Sequence, residues 1–317
     1  MSMPLRRLGS SGLKVSAIGL GTNTFGGTAD KDATTKILYR AIELGITFVD
    51  TADVYGRGRS EEFIGDALVG RRHEVILATK CGMAMGDNPY HRGMSRRWIM
   101  EALEASLRRL KTDYVDLYQS HAPDADTPIE ETLRAMDDAV QQGKVRYNGS
   151  SNYAAWQLAR AHGVSVQQGL NPWVSAQNKW NLLEGVDDPT LPAACRELGV
   201  GIIPYTPLAS GILTGKYRRG EAPAAGTFIP SERPSLSSTS WTSSRDLRPK
   251  FLVSSISRSV RRTRSRSVWM LAFLSEFAER TERSSSSMCL ERSASRPARS
   301  SRPRSPAVSR RLSSVWM

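Results

Sequence analysis

The feature that most constrains the fold is an alternation of short apolar runs with longer amphipathic stretches through the first 226 residues. Short β-branched or apolar runs predict strands, and stretches with apolar residues three or four positions apart predict helices. Seven strands are predicted, at residues 17–20, 47–49, 75–78, 115–118, 145–149, 175–176 and 201–204. Strands that alternate with helices indicate βαβ units and a parallel α/β sheet. Seven of the eight units of a (β/α)8 TIM barrel fit this count better than an open sheet, although spacing alone does not distinguish them.

The helical stretches carry apolar stripes and end signals. One stripe runs through residues 99–110 and a second through residues 129–140. Pro128 stands at the first turn of the second helix and Gly143 just past its end, which is the usual placement of these two residues. Ser60 is predicted to cap another helix, because a serine side chain accepts hydrogen bonds from the first free N–H groups.

The composition changes abruptly after Gly226. All 25 glycines lie at or before this residue, whereas the last 91 residues contain none and hold 26 serines. The same segment has 17 Arg, one Lys and six acidic residues, so it carries +12 of the net charge of +13. Folded loops use glycine wherever φ must be positive. We therefore predict a barrel domain over residues 1–226 and a low-complexity Ser/Arg-rich tail over residues 227–317 that is disordered or non-native.

Several protein classes are disfavoured. No apolar run reaches the roughly 18 residues that span a bilayer, and the first residues lack a signal-peptide pattern. Cys81, Cys195 and Cys289 are too few and too dispersed for a disulfide framework or a zinc site. We expect a cytoplasmic protein in a reducing compartment, without a metal and without a membrane partner.

Polar or ionisable residues follow the predicted strands. In parallel α/β proteins, chemistry is concentrated at the carboxyl ends of the strands, which share one rim. The residues at these ends are Asp50, Lys80, His121, Ser150, Ser151, Asn152, Gln177 and Tyr205.

Asp50, Tyr55, Lys80 and His121 together form a candidate proton-transfer set, although each alone is more often a structural residue. Free tyrosine loses its proton only near pH 10, and a neighbouring ammonium stabilises the phenolate. Asp50 is expected to hold Lys80 charged and oriented. His121 is expected to hydrogen-bond a substrate carbonyl oxygen and to help pass the proton.

These residues resemble the catalytic tetrad of the aldo-keto reductases, which are TIM-barrel enzymes that use a nicotinamide cofactor. The resemblance covers roughly residues 5–217, and its most specific motif is Asp50-Thr-Ala-Asp-Val-Tyr55-Gly56, followed by Lys80 and His121. It implies reduction of an aldehyde or ketone to an alcohol by hydride transfer, with Tyr55 as the proton donor. The opening residues 3–16 resemble the hairpin that caps the barrel bottom in this family.

The same resemblance implies a set of cofactor-binding residues. Ser151, Asn152 and Gln177 would hold the nicotinamide carboxamide, and Tyr205 would stack on the ring. Gly21 and Thr22 would lie beneath the substrate pocket. The residues expected along the pyrophosphate are Thr206, Leu208, Ser210 and Gly211.

The resemblance does not extend into residues 227–317, where the family has an eighth β/α unit and an adenosine-phosphate loop. Arg245, Arg248 and Arg258 are candidate phosphate ligands there, but none aligns with the family pattern. The preference for NADP(H) over NAD(H) rests on the family alone. We hypothesise that the eighth unit is missing or replaced because a shifted reading frame altered the C-terminus, in which case the chain is an inactive product.

Two alternatives to the reductase interpretation are open. The first is a cofactor-binding regulatory protein similar to channel β subunits, since fold does not fix function. The second is non-specific nucleic-acid binding by the basic tail, which we disfavour because the tail has few aromatic residues and no recognised fold. From the sequence, the substrate is expected to be a small or medium aldehyde or ketone. The candidates for an apolar wall of its pocket are Met83, Met85, Tyr90 and Trp180. The oligomeric state is not readable.

Overall fold

The structure is a computed structural model and describes residues 3–185 and 189–215. Its strands are β1 (Leu5–Arg7), β2 (Lys14–Ser16), β3 (Gly19–Gly21), β4 (Phe48–Asp50), β5 (Ile76–Cys81), β6 (Val115–Ser120), β7 (Val145–Ser151), β8 (Ser175–Lys179) and β9 (Gly201–Tyr205). Its helices are α1 (Lys31–Glu43), α2 (Arg59–Ala67), α3 (Arg96–Leu110), α4 (Ile129–Gln141), α5 (Ala155–Gln168) and α6 (Thr190–Leu198). Short 3₁₀ turns lie at Tyr55–Gly58, Arg72–Glu74 and Ala209–Thr214.

Strands β3 to β9 form one parallel sheet in sequential order, with each strand paired to the next along the chain. This sheet confirms all seven predicted strands, each of which extends one to three residues further toward its carboxyl end than the apolar pattern indicated. Six helices, α1 to α6, form the crossovers from β3 to β9, so the described residues form seven strands and six connecting helices of a (β/α)8 barrel. The predicted loss of the eighth unit and the predicted tail over 227–317 lie outside the described residues.

The two predicted apolar stripes pack against the core in helices α3 and α4. Ser95 caps α3 by accepting from the backbone N–H of Trp98, and the stripe residues of this helix pack into the main core. Pro128 precedes α4 and Gly143 follows it with a φ of 72°, as the sequence indicated.

The prediction that Ser60 caps a helix is wrong. Helix α2 begins at Arg59, and its N-cap residue is Gly58, whose φ of 92° only glycine adopts easily. Ser60 lies inside the helix, fully buried, and its hydroxyl donates to the carbonyl oxygen of Thr22. The serine therefore joins α2 to the end of β3 instead of satisfying its own helix terminus.

Strands β1 and β2 form the predicted antiparallel hairpin, which packs at the amino ends of the sheet. Leu8, Leu13 and Val15 share an apolar cluster with Ala78 and Leu117 of the barrel strands. The backbone N–H of Ser10 donates to Gly199 O at 2.7 Å, next to the start of β9. Hairpin and sheet thus enclose one end of the barrel.

The glycine at the hairpin tip makes this approach possible. Gly9 has a φ of +60°, and a Cβ there would lie 2.6 Å from Gly201 N and still closer to Gly199 O. Any larger residue would push the hairpin off β9.

Two layers of side chains fill the interior because residues two positions apart on a strand face the same side. The lower layer is apolar and includes Phe48, Ala78 and Leu117. Two residues further along the same strands stand Asp50, Lys80 and Gln119, which place a polar layer above the apolar one. No helix in the described part of the chain is long and apolar enough to cross a membrane.

Candidate active site

A cavity of about 310 Å³ opens at the carboxyl ends of the barrel strands. Its lining combines residues that are far apart in sequence, including Thr22, Asp50, Tyr55, His121, Gln177 and Tyr205. The convergence of strand ends explains this gathering, since every parallel strand delivers its last residues to the same rim.

Lys80 is the centre of the charged part of the site. Its Nζ donates to Asp50 Oδ2 at 2.6 Å, to the Tyr55 hydroxyl at 3.3 Å and to Thr51 O at 2.9 Å. Its side chain is fully buried. The predicted meeting of Asp50, Tyr55 and Lys80 is therefore present, and all three hydrogen bonds of the ammonium are directed.

The charge state of Lys80 follows from these neighbours. Burial by itself lowers the pKa of a lysine, but the charge of Asp50 and then Tyr55 raise it, and the net pKa lies above its ordinary value. Lys80 is thus an ammonium throughout the neutral range. A buried cation of this kind needs a directed partner, which Asp50 supplies.

Asp50 is held in turn by two amides. Gln119 Nε2 and Gln177 Nε2 each donate to Asp50 Oδ1 at 3.0 Å. Gln119 was not among the predicted site residues. Its position two residues after Leu117, on the inward face of β6, was the signal in the sequence that could have identified it.

The ring of His121 lies edge-on to Tyr55, with centroids 5.8 Å apart. Burial first and the Lys80 charge second lower the pKa of His121 to about 3. Its Nδ1 is buried, and no described residue forms a hydrogen bond with it. At neutral pH the imidazole is therefore neutral, so it can donate a hydrogen bond to a substrate oxygen but does not act as a cationic acid.

Ser151, Asn152 and Tyr205 lie together in the lining of the cavity. The Tyr205 hydroxyl donates to Asn152 Oδ1 at 2.7 Å, and Asn152 Nδ2 donates to Ser151 Oγ at 3.1 Å. Asn152 also donates to the carbonyl oxygen of His121 at 2.9 Å and has a φ of 64°. These contacts link the predicted cofactor-binding residues to the predicted catalytic histidine.

Gly21 and Thr22 end strand β3 and line the same cavity. Gly21 is paired with Asp50 in the parallel register. The backbone N–H and the hydroxyl of Thr22 both donate to Asp50 O at 3.0 Å. Thr22 therefore fixes the backbone of the residue that holds Lys80.

The residues predicted along the pyrophosphate are only partly at the cavity. Thr206 lines it, whereas Leu208, Ser210 and Gly211 lie in the following turn and are not part of its lining. Thr206 and Ser210 have φ values of 51° and 55°. Such left-handed backbone is uncommon outside glycine and often marks turns whose N–H groups bind anions.

The apolar wall suggested by the sequence is not at the cavity. Met83, Met85, Tyr90 and Trp180 are absent from its lining, and Tyr90 is 64% exposed beside Arg97. Loop residues of this kind are oriented by contacts that the sequence does not encode locally.

A second cluster of buried charged side chains, which the sequence did not reveal, lies next to the site, where the backbone N–H of Asp53 donates to Lys80 O at 3.1 Å. Asp53 is 1% exposed, and burial first and the Glu61 charge second raise its pKa to about 8. Glu61 accepts from Arg109 Nε at 2.7 Å. Burial and then Asp53 also raise the pKa of the Cys81 thiol, which therefore stays protonated.

The described residues of the site fit the nicotinamide end of a cofactor. Gln177 presents an amide to the cavity, Tyr205 presents an aromatic ring, and the Thr206 hydroxyl is buried without a partner among the described residues. Amide, ring and hydroxyl match the carboxamide, the ring face and the phosphate of such a cofactor. Arg245, Arg248 and Arg258, the candidate phosphate ligands, lie outside the described residues. Within residues 3–185 and 189–215, no group of three or more His, Cys, Asp or Glu residues could hold a metal ion.

The chain is similar to known proteins over most of its length. The model of the aldo/keto reductase family matches residues 17–291, so the match extends beyond residue 217 and includes part of the segment that composition separates at Gly226. A probable voltage-gated potassium channel subunit beta from Arabidopsis thaliana is 39% identical over 232 residues, which cover 71% of this chain and 70% of the relative. A protein of the same description from Oryza sativa subsp. japonica has the same identity and coverage. The uncharacterized oxidoreductase YrpG of Bacillus subtilis (strain 168) is 39% identical over 226 residues, 68% of this chain and 69% of that protein.

Proposed function

We propose that this chain, which belongs to the aldo/keto reductase family, reduces an aldehyde or ketone to an alcohol with Tyr55 as the proton donor. The observation that carries this proposal is the contact of Lys80 Nζ with both the Tyr55 hydroxyl and Asp50. A phenol beside a buried, permanently charged ammonium can release its proton and remain as a stabilised phenolate.

A bound nicotinamide cofactor would supply the hydride to the carbonyl carbon. Tyr55 gives its proton to the carbonyl oxygen, and the phenolate left behind is held by Lys80. Neutral His121 donates a hydrogen bond to the same oxygen as negative charge develops there. Asp50 keeps Lys80 in place, and solvent returns the proton to Tyr55 after the alcohol leaves.

We further propose that the cofactor is NADP(H) in preference to NAD(H), as the family generally uses. The contacts that decide this preference would be made at the adenosine end of the cofactor. Titration of protein fluorescence with each nucleotide tests the preference directly, and a tenfold tighter dissociation constant for NADP(H) supports it. We also propose a cytoplasmic location, which the free thiols of Cys81 and Cys195 support.

The test of Tyr55 is a comparison of Tyr55→Phe with the matched variant Tyr90→Phe, which removes a hydroxyl from an exposed ring. Reduction of an aromatic aldehyde is followed as the loss of absorbance of the reduced cofactor. We expect Tyr55→Phe to lower kcat/KM by a factor of about 10² to 10⁴, while its dissociation constant for the cofactor stays within about twofold of the parent value. Tyr90→Phe is expected to match the parent protein in both quantities.

The second candidate function is regulatory cofactor binding, which the 39% identity to two proteins described as probable channel subunits beta favours. A regulatory barrel binds the cofactor tightly but turns it over slowly. The same assay separates the two, because tight binding with equal, very low rates in the parent protein and Tyr55→Phe would favour regulation.

A further inference from the structure

Three side chains from strands β4, β6 and β8, two of which line the cavity, form a closed hydrogen-bond network. Gln119 and Gln177 both donate to Asp50 Oδ1, and Gln177 Nε2 also lies 3.4 Å from Gln119 Oε1. Gln119 is fully buried and Gln177 is 4% exposed, so both amides are largely shielded from bulk water.

The network is consistent with only one orientation of each amide. The carboxylate of Asp50, paired with the ammonium of Lys80, accepts hydrogen bonds and has none to donate. Both amides must therefore turn their nitrogen atoms toward it. Gln119 then presents its oxygen to Gln177, and the two hydrogens of Gln177 Nε2 are used by Asp50 and Gln119.

Gln177 Oε1 is left as the unused end of this amide. Among the described residues, none donates a hydrogen bond to it, and Gln177 lines the cavity. The amide therefore offers the cavity a hydrogen-bond acceptor and no donor.

The backbone makes room for this network. Strand β7 separates β6 from β8, and Gly149 of β7 is paired with Gln119 on one side and Ser175 on the other. A Cβ at Gly149 would lie 3.2 Å from Gln119 Cγ and still closer to Ser175 Oγ. The absence of a side chain at Gly149 lets Gln119 reach across β7 to Gln177.

We propose that Gln119 is a positioning residue that fixes Gln177 with its carbonyl oxygen toward the cavity, so that the site selects a cofactor ring carrying a hydrogen-bond donor. This inference rests on the proposed function, since its ligand is the carboxamide of a nicotinamide cofactor. The carboxamide –NH2 group donates to Gln177 Oε1. A ring substituent without an N–H leaves this buried acceptor unpaired.

The experiment compares the binding of NADP⁺ with that of its 3-acetylpyridine analogue, in which a methyl group replaces the amide –NH2. Dissociation constants are measured by tryptophan fluorescence on the full chain, without turnover. We expect the parent protein to bind NADP⁺ about tenfold more tightly than the analogue, the effect of one buried hydrogen bond. Gln119→Met keeps the side-chain volume but removes the amide. We expect it to lower the ratio of the two dissociation constants, analogue to NADP⁺, at least threefold.

Two further variants define the role of Gln119. Gln119→Glu in its protonated form can still donate to Asp50 and accept from Gln177, so we expect it to retain most of the ratio at pH 6. Gln141→Met changes an exposed glutamine at the end of α4 and is expected to keep the parent ratio. If Gln119→Met does not fold, Gly149→Ala provides the second loss variant, because its Cβ crowds Gln119.

The outcomes are distinct. A parent protein that binds neither nucleotide contradicts the proposed function and this inference with it. A parent protein that binds both nucleotides equally contradicts the inference alone. An unchanged ratio in Gln119→Met, or in its substitute Gly149→Ala, shows that Gln119 does not position Gln177.

Discussion

The side-chain nitrogen of Lys80 lies 3.3 Å from the hydroxyl oxygen of Tyr55, although 25 residues separate them in the chain. The same nitrogen lies 4.9 Å from the centre of the Tyr55 ring. Since Lys80 is fully buried, this ammonium acts on the phenol without screening by water. The proton donation that we propose for Tyr55 depends on this contact.

Substitution of Asp50 should destabilise the fold more than substitution of Lys80. Asp50→Asn leaves a fully buried ammonium without its counter-ion, and we expect a loss of about 3–5 kcal/mol. Lys80→Met leaves a carboxylate that still accepts from Gln119 and Gln177, so we expect a smaller loss of about 1–3 kcal/mol. Urea unfolding of both single variants and the double variant measures these values. Equal losses, or a double variant with fully additive losses, would contradict the assignment of the ion pair.

His121 should remain neutral across the range in which ordinary histidines titrate. Its pKa of about 3 means that the folded state binds fewer protons than the unfolded state between about pH 3 and pH 6.5. The stability that His121 contributes is thus fully present above pH 6.5 and is lost as pH falls through this interval. Nitrogen NMR of the four histidines, with His121→Gln to assign the signal, should show no His121 protonation between pH 5 and pH 8. A midpoint near pH 6.5 would overturn this description.

Asp53 should make the fold less stable as pH rises. Its folded pKa of about 8 lies above its ordinary value of 3.8, so the folded state binds more protons than the unfolded state between these values. Stability therefore falls from about pH 4 to about pH 8, by at most about 1.4 kcal/mol per pH unit for one proton. Asp53→Asn removes this cost, and its advantage in melting temperature over the parent protein should grow between pH 5 and pH 8. Asp87→Asn, at an exposed position, is the control. A constant difference between Asp53→Asn and the parent across this range would show that Asp53 is ionised when folded.

The hairpin should depend on Gly9 for its position. Gly9→Ala brings a methyl group against Gly199 and Gly201 and also strains a positive φ, so we expect a loss of about 2 kcal/mol or more. Gly12→Ala in the same hairpin is the matched control, because the nearest atom to its Cβ is Tyr147 Oη at 3.5 Å. Chemical unfolding of both variants measures the difference, and equal stabilities would mean that the hairpin is not held against β9.

The strands and the central charged residues could be predicted because two simple patterns determine them. Apolar runs bounded by polar residues mark the barrel strands, and parallel pairing brings their ends to one rim, which placed Asp50, Lys80 and His121 correctly. Gln119 directly follows the predicted run 115–118 and was missed because the prediction took His121, two residues further on, as the residue at this strand end; only its inward register marks Gln119. The cluster of Asp53, Glu61 and Arg109 was missed because pairing between α2, α3 and the strands has no local signature.

Other features depend on tertiary contacts or on residues beyond those described. Ser60 has the residue type of an N-cap, but its hydroxyl joins α2 to the end of β3. The roles of Leu208, Ser210 and Gly211 stay predictions, since they are next to the cavity in sequence and not part of its lining. The predicted tail and the shifted reading frame also stay hypotheses.

The most direct measurement is transfer of deuterium from cofactor labelled at the reactive C4 position of its nicotinamide ring to an aromatic aldehyde, read by mass spectrometry of the alcohol. We predict an alcohol one mass unit heavier, with one deuterium on the carbinol carbon, from the parent protein. Tyr55→Phe should give at most about one hundredth of that yield in the same time. An unlabelled alcohol, or equal labelled yields from both proteins, would contradict hydride transfer coupled to proton donation by Tyr55.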